Sequence, residues 1–317
     1  MKVQSVPGFG QLTLGLKLNE EDNVDELYTR IKATIVGLTK YEFELIFIDN
    51  HSMDGTVAKL KKLAASDPMV KLIVNTRNFG HIRSPYYGII QSRGVATIYL
   101  ASDLQDPPEL IPEFIRYWEE GYKLVMAVKP VSKGAAWIHA LRKSYYRLLD
   151  GISNISILAD STGFGLYDRE VLDHVRRIDD PYPFLRGLIC ELGYEIKTIP
   201  FAQPRRLRGI SKNNFYTLYD IAMLGIVSHS KVPIRIAAFA GFALGMLSVL
   251  AAIVFLILKL LFWDSFPIGI APLVIGMFFM LGILMLFIGI LGEYIGAIHT
   301  YVQKRPPVVE KERINFD

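Results

Sequence analysis

Two long apolar stretches near the C-terminal end constrain the fold more than any other feature of the sequence. Residues 236–262 contain one charged side chain, Lys259, and residues 267–291 contain none. Each stretch exceeds the roughly 20 residues that a helix needs to span hydrocarbon. Because residues 263–266 alone separate them, we predict a transmembrane hairpin of two helices. The alternative interpretation is a pair of buried core helices in a soluble protein.

The charges that flank these stretches predict their orientation. Basic residues precede the first stretch and follow the second, whereas the connecting loop carries Asp264 and neither Lys nor Arg. The positive-inside rule therefore places both termini and the preceding domain in the cytoplasm. Apolar residues between 215 and 227 recur at spacings of 3, 4 and 7, which predicts an amphipathic helix at the membrane interface. We therefore expect a cytoplasmic domain over 1–212, a juxtamembrane helix over 213–231, the hairpin over 232–300 and a cytoplasmic tail over 301–317.

The first 120 residues repeat one unit four times: an apolar strand, a polar loop and a helix. Such alternation predicts an α/β domain with a mostly parallel sheet and helices on both faces. Polar residues gather after successive strands, where open α/β sheets bind ligands. The formal net charge of +4 is too small and too dispersed to indicate a nucleic-acid partner, and the single cysteine, Cys190, excludes an intramolecular disulfide.

The most informative of these loops follows the fourth predicted strand, residues 96–100. It contains Asp103, Gln105 and Asp106 before two prolines. In isolation an Asp-x-x-Asp segment is more often a capped turn than a metal site. Its place at the carboxyl end of a strand in a repeating α/β pattern favours oxygen ligands for Mg²⁺ or Mn²⁺. Asp103 and the Gln105 amide are the expected ligands, and Asp106 orients a ligand or caps the following helix.

Two basic segments are candidates for binding phosphate. Residues 205–212 carry four basic side chains in eight, and residues 135–152 form a basic, aromatic predicted helix that includes Arg142. Solvated charge is the alternative interpretation of both segments. Arginines with Gly, Ser and Lys also suit a flexible phosphate clamp.

The ordered set of motifs resembles family 2 glycosyltransferases of the polyprenyl-phosphate type, which include dolichol-phosphate mannose synthases and bactoprenol glucosyltransferases. The segments that carry the resemblance are residues 19–21, 48–56, 77–80, 103–108, 208–212 and 292–296, and the likeness covers about residues 19–307. It implies a GT-A-type fold and inverting transfer of a sugar, with glucose expected, from a nucleotide-sugar donor to polyprenyl (undecaprenyl) phosphate. The donor is expected to be a UDP-sugar rather than a GDP-sugar. The implied location is the cytoplasmic face of a bacterial inner membrane, where the product serves a cell-envelope glycan, and the family suggests a homo-oligomer.

The resemblance also implies roles for individual residues. The implied catalytic residues are Asp103, Asp106 and Arg206. The implied nucleotide-sugar-binding residues are Asn19, Glu20, Asp49, Asn50, Ser52, Asn78 and Asp103. The implied acceptor-phosphate residues are Arg142, Arg206, Arg208, Ser211 and Lys212. The implied metal ligands for Mg²⁺ or Mn²⁺ are Asp103 and Gln105.

The sequence departs from the family pattern at several of these motifs. Asn50 stands where a second Asp is common, Ala101 where many members have an extra Asp, and Gly163 where many have an acidic residue. Residues 16–18 also replace the usual Pro-x-Tyr. Two other functions therefore stay open: a membrane glycosyltransferase that extends a polysaccharide or glycolipid, and a non-catalytic nucleotide-sugar-binding scaffold that retains the fold.

Overall fold

The computed structural model describes residues 9–16, 21–129, 158, 161–204, 223–228, 230–262 and 270–316. The strands in these ranges are β1 (Phe9–Leu16), β2 (Glu42–Asp49), β3 (Val70–Asn75), β4 (Ala96–Ala101), β5 (Leu124–Val128), β6 (Ser161–Asp168), β7 (Ile196–Pro200) and β8 (Glu310–Ile314). The helices are α1 (Glu21–Ile35), α2 (Thr56–Ser66), α3 (Gly80–Ile90), α4 (Ile111–Glu119), α5 (Arg169–Ile178), α6 (Leu185–Glu191), α7 (Val232–Leu261) and α8 (Ile270–Val302).

The described strands form one sheet in the order β7-β5-β6-β4-β1-β2-β3-β8. Strands β1 to β4 pair in parallel, so Leu12 of β1 lies opposite Leu45 of β2 and Ile98 of β4. Strands β5 and β7 also pair in parallel. However, β6 runs antiparallel between β4 and β5, and β8 runs antiparallel to β3. The prediction of a parallel sheet is therefore confirmed for the four N-terminal strands, while the whole sheet is mixed.

Both faces of the sheet are covered by helices, as predicted. In β2, Leu45 and Phe47 belong to the core shared with α1, α2 and α4, whereas Ile46 and Ile48 pack on the opposite face beside Tyr87 of α3. The four strand residues are fully buried, and burying each such side chain contributes about 1.5–3 kcal/mol relative to its exposure. The same alternation explains why residues 45–48 of β2 are apolar without a break: no face of this segment is left for solvent.

Helices α7 and α8 expose much of their apolar surface. Within the described residues, one 24-residue segment of α8, Phe279–Val302, is long and apolar enough to cross a membrane, by length and composition alone. The described part of α7 contains a shorter apolar stretch, Val232–Ser248. The hydroxyl of Tyr294 donates to the carbonyl of Ser230 at 2.7 Å, which joins the later half of α8 to the residues just before α7. The two-span hairpin stays a prediction.

The juxtamembrane helix is described only in part: residues 223–228 are helical, and most of the rest of 213–231 lies outside the described residues.

The C-terminal residues return to the α/β domain. Strand β8 extends the sheet along β3, and the Thr76 N–H donates to the carbonyl of Val309 at 3.0 Å. The Asn315 amide donates to the carbonyls of Ala64 and Val70 at 2.7 and 2.8 Å. The segment predicted as a tail over 301–317 therefore contains a strand of the domain's own sheet. Its short alternating sequence, Glu-Lys-Glu-Arg-Ile, gave little sign of this pairing because an edge strand buries little apolar surface.

Candidate active site

The polar loops that follow β2, β3 and β4 meet at one edge of the sheet. These strands end at Asp49, Asn75 and Ala101, and the parallel register aligns their carboxyl ends. Asp49 and Asn75 are fully buried, and the nearby Asp103 is 5% exposed. Polar side chains are rarely buried to this extent unless hydrogen bonds or a ligand satisfy them, so this edge is the candidate active site.

Asp49 shapes the turn that follows β2. Its carboxylate accepts from the N–H groups of His51 and Ser52, each at 3.0 Å. These bonds hold His51 at a φ of +69°, a left-handed conformation that few side chains adopt. Asp49 therefore organises the turn that also presents Ser52. Binding of the nucleotide by Asp49 and Ser52 stays a prediction.

Asn50 connects the loops after β2 and β3. Its amide nitrogen donates to the Asn78 side-chain oxygen at 2.9 Å and to the Gly80 carbonyl at 3.0 Å. Its amide oxygen accepts from the Phe79 N–H at 2.9 Å and from the Asn75 amide at 3.1 Å. Because a backbone carbonyl and a backbone N–H are among the partners, the orientation of the amide is determined. All four hydrogen-bonding positions are used within the protein, so Asn50 positions the loops.

Asn78 also participates in this network through its oxygen, which accepts from the Gly80 N–H at 2.8 Å as well as from Asn50. The side chain is exposed, and its amide nitrogen has no hydrogen-bond partner among the described residues. Of the two described asparagines that were predicted to bind the nucleotide, Asn50 and Asn78, Asn78 is thus the one with a free donor.

The turn after β4 is tightly constructed. Asp106 accepts from the Ala101 N–H at 2.9 Å, and Asp103 accepts from the Gln105 N–H at 3.3 Å. Between them Leu104 adopts a φ of +58°, which costs a non-glycine residue about 1–2 kcal/mol. Its side chain is 3% exposed and belongs to the main core, which stabilises this conformation. Strained backbone of this kind concentrates at functional sites.

The residues of this turn fit a hard divalent cation in part. Gln105 donates its amide nitrogen to the Pro204 carbonyl at 3.3 Å, which leaves the amide oxygen as an acceptor. Asp103 adds carboxylate oxygens, whereas Asp106 uses one oxygen to bind the backbone. The described residues contain no group of three or more His, Cys, Asp or Glu side chains suited to a metal ion. Asp103 and Gln105 would thus supply two oxygen ligands, and a cation held here needs others from its substrate and from water.

Arg186 is a further candidate, which the motifs in the sequence did not include among the site residues. Burial raises the pKa of the Tyr99 phenol most, and the negative charges of Asp106 and Asp103 raise it further. The positive charge of the Arg186 guanidinium lowers it. All three charges therefore lie in the neighbourhood of Tyr99. Arg186 is anchored by donating to the Ser161 carbonyl at 3.0 Å. The sequence offered one indication that Arg186 could belong to the site: it is the one charged residue between positions 181 and 190.

Gly163 is a second point at which the structure explains a departure from the family pattern. It is the third residue of the antiparallel strand β6 and adopts a φ of +92°, which L-amino acids rarely reach. Its carbonyl accepts from the buried Tyr167 hydroxyl at 2.6 Å. An acidic side chain at this position would strain the backbone.

Seven of the predicted site residues lie outside the described residues: Asn19, Glu20, Arg142, Arg206, Arg208, Ser211 and Lys212. Their roles stay predictions. The structure does place Pro204, which directly precedes the basic loop at 205–212, against the Gln105 side chain. Pro204 therefore lies beside the turn that contains Asp103.

Comparison with known proteins agrees with this geometry. The sequence model of glycosyl transferase family 2 matches residues 18–176, which include β2, β3, β4 and their loops. A Bacillus subtilis protein named as an uncharacterised glycosyltransferase, YkcC, is 36% identical over 91% of this chain and 89% of its own length. The chain belongs to glycosyl transferase family 2.

Other relatives of this family 2 chain carry more specific names. The SfII prophage-derived bactoprenol glucosyl transferase of Shigella flexneri is 31% identical over 93% of this chain and 95% of its own length. Among solved structures, a mannosyltransferase from Pyrobaculum calidifontis in complex with GDP-Man and Mn²⁺ is 14% identical, with a TM-score of 0.46 over 93% of this chain and 87% of that one.

Proposed function

We propose that this family 2 chain transfers a sugar, with glucose as the expected one, from a UDP-sugar to a polyprenyl phosphate at the cytoplasmic face of a bacterial inner membrane. The observation that carries the proposal is the hydrogen bond from Gln105 to the Pro204 carbonyl. The bond holds Pro204 beside the turn that contains Asp103, and the sequence continues from Pro204 directly into the basic segment 205–212. The names of the bactoprenol glucosyl transferase relatives support the acceptor.

The chemistry of such a transfer suits the side chains in and around this turn. One oxygen of the acceptor phosphate forms a bond to the anomeric carbon while the bond to the nucleoside diphosphate breaks, which inverts the configuration. A divalent cation, when bound by Asp103 and Gln105, would neutralise charge on the diphosphate leaving group. Arg206 and the other basic side chains of the loop would hold the phosphates.

This reaction does not require a strong general base, because a phosphate acceptor is already ionised at neutral pH. The main task of the protein is to position the acceptor oxygen behind the anomeric carbon. That requirement is compatible with Gly163 in place of an acidic residue. A glycosyltransferase that extends a sugar hydroxyl would instead need a base to remove the hydroxyl proton.

The test is transfer of radiolabelled sugar to lipid. Membranes that contain the full chain are incubated with Mg²⁺ or Mn²⁺, undecaprenyl phosphate and labelled UDP-glucose, UDP-GlcNAc or GDP-mannose, and the organic phase is counted. We expect labelled lipid with a UDP-sugar, and a rate at least about 100-fold lower for Asp103→Ala, as expected when a group that stabilises the leaving charge is lost. Chelation of divalent cations should abolish transfer.

The matched control is Asp25→Ala, which removes an exposed carboxylate on α1 that pairs with Lys59 at 3.0 Å. It should retain the parent rate, since surface ion pairs contribute little to stability. Labelled lipid of unchanged yield from Asp103→Ala would refute the assigned site. Absence of labelled lipid from every donor with the parent chain would refute the proposed reaction.

A further inference from the structure

A cleft of about 320 Å³ lies beside the candidate active site, between the loop after β3 and the end of α8. This volume lies within the range of about 300–1,000 Å³ that ligand pockets usually occupy. Its lining from the α/β domain includes Arg77, Phe79 and Arg83, and its lining from the C-terminal part includes Thr300 and Arg305. The assigned site residues do not line it.

Three guanidinium groups line this cleft without carboxylate partners. Within the described part of the chain, Arg77, Arg83 and Arg305 form no ion pair. Arg313, four residues after Val309 of the cleft lining, does pair with Glu310 at 2.6 Å. The arginines of the cleft therefore differ from Arg313, whose charge is balanced within the protein.

The orientation of two of these side chains is stabilised by aromatic rings. The Arg77 guanidinium lies 4.3 Å from the centroid of the Phe79 ring, and that of Arg83 lies 5.0 Å from the centroid of the Tyr182 ring. Such stacking preorganises the planar group while leaving its N–H donors at the rim free to bind a ligand.

Arg83 contains an unsatisfied buried donor. Its Nε atom is inaccessible to solvent and has no hydrogen-bond partner among the described residues. Burying an N–H without a partner is costly, so native proteins seldom retain one unless something else satisfies it.

We propose that this cleft binds the phosphate group of an anionic ligand through Arg77, Arg83 and Arg305. Arginine matches phosphate because its fork of N–H donors contacts two oxygens at once. The source that the structure favours is the headgroup of an anionic membrane lipid. The apolar segment of α8 ends at Val302, and Thr300 and Arg305 of the cleft flank this end, where headgroups lie beside a spanning helix.

The choice of a lipid as the source rests on the proposed membrane location, whereas the phosphate site does not. The test therefore measures binding and is independent of sugar transfer. Full-length protein in a neutral detergent is titrated with phosphatidylglycerol, with phosphatidylcholine or with inorganic phosphate, and bound ligand is counted by native mass spectrometry. We expect one tightly bound phosphatidylglycerol per chain and weaker retention of phosphatidylcholine, which carries no net charge.

Arg83→Gln and Arg305→Gln should each weaken phosphatidylglycerol binding about tenfold, the loss expected for one charge-assisted hydrogen bond. Arg116→Gln, an exposed arginine of α4 that contacts Glu113 at 3.6 Å, is the control and should bind as the parent does. Because these variants lie outside the assigned active site, their transfer of sugar in detergent should be unchanged.

Binding of inorganic phosphate but not of phosphatidylglycerol, with the same dependence on Arg83, would support the phosphate site and identify a soluble source. Equal affinity of the parent and the Arg83→Gln/Arg305→Gln double variant for both ligands would overturn the proposal.

Discussion

The replacement of Asn50 by Asp tests whether this side chain is a structural connector. The family pattern commonly has an acidic residue here, yet the structure requires a donor. The Asn50 amide nitrogen donates to the Gly80 carbonyl at 3.0 Å and to the Asn78 oxygen at 2.9 Å. In a carboxylate, the oxygen that replaces the amide nitrogen would face both of these acceptor oxygens without a proton to donate. The other oxygen would still accept from the Phe79 N–H. Asn78 cannot reverse its amide freely, because its oxygen also accepts from the Gly80 N–H.

The magnitude follows from the bonds that are lost. Two donated hydrogen bonds contribute about 1 kcal/mol each, and the repulsion between the new carboxylate and the two acceptor oxygens that it faces adds about 1 kcal/mol more. Since Asn50 is only 7% exposed, water does not replace the lost donors. We expect Asn50→Asp to lower the free energy of unfolding by about 3 kcal/mol. For a domain of about 200 residues this corresponds to a decrease in Tm of roughly 6–12 °C.

The assay is thermal unfolding of the full chain in detergent, with Asn78→Asp as the matched control. Asn78 uses its oxygen alone within the described residues and is exposed, so its replacement should change stability by no more than about 0.5 kcal/mol. Protonation would restore a donor at position 50, so the folded protein should raise the pKa of the new carboxyl. As pH rises, the unfolded chain therefore loses this proton at a lower pH than the folded protein does. The loss in free energy of unfolding caused by Asn50→Asp should accordingly be smaller near about pH 5 than near about pH 8. Equal Tm values for the two variants would refute the reasoning.

Three further changes test other parts of the structure. Gly165→Ala would place a Cβ 2.3 Å from the Val125 carbonyl oxygen of the neighbouring strand, so the β5–β6 pairing must open, and thermal unfolding should show a loss of about 3 kcal/mol or more. Trp118→Phe removes the indole hydrogen bond of 2.7 Å to Asp168 and should reduce the free energy of unfolding by about 1–2 kcal/mol in denaturant titrations. Truncation after Pro307 removes β8 and exposes the edge of β3, so light scattering should detect faster aggregation.

The parts of the fold that the sequence predicted are those with a strong local signal. The apolar residues of β2, β3 and β4 are buried on both sides of the sheet, and a continuous apolar run between turn residues indicates such a strand. The sequence carried no such signal for the direction of β6. Its antiparallel position between β4 and β5 depends on pairing between residues that are far apart in sequence. Strand β8 was missed for a related reason: its five residues alternate in charge and burial, and their pairing with β3 is visible only in three dimensions.

The candidate active site was predictable as a location and less so as a set of roles. Parallel strands place their following loops at one edge, so the meeting of Asp49, Asn50 and Asp103 followed from the order of the motifs. Residue type could not distinguish a side chain that binds a ligand from one that binds its own protein. Asn50 has all four hydrogen-bonding positions satisfied internally, whereas the Gln105 amide directs its nitrogen to Pro204 and keeps its oxygen available.

The position of the C-terminal residues connects the proposed membrane segment with the chemistry. The Tyr301 hydroxyl at the end of α8 binds Asp180 of the α/β domain, and the Thr76 N–H binds the carbonyl of Val309. The end of α8 is thus held next to the carboxyl end of β3, where the loop with Asn78 begins. If α8 crosses a membrane as proposed, these contacts restrict the domain to orientations in which this edge of the sheet faces the lipid headgroups. A phosphate acceptor that is carried on a lipid could then reach the Asp103 turn without leaving the bilayer. A domain joined to its membrane segment by a flexible linker alone would not keep this orientation.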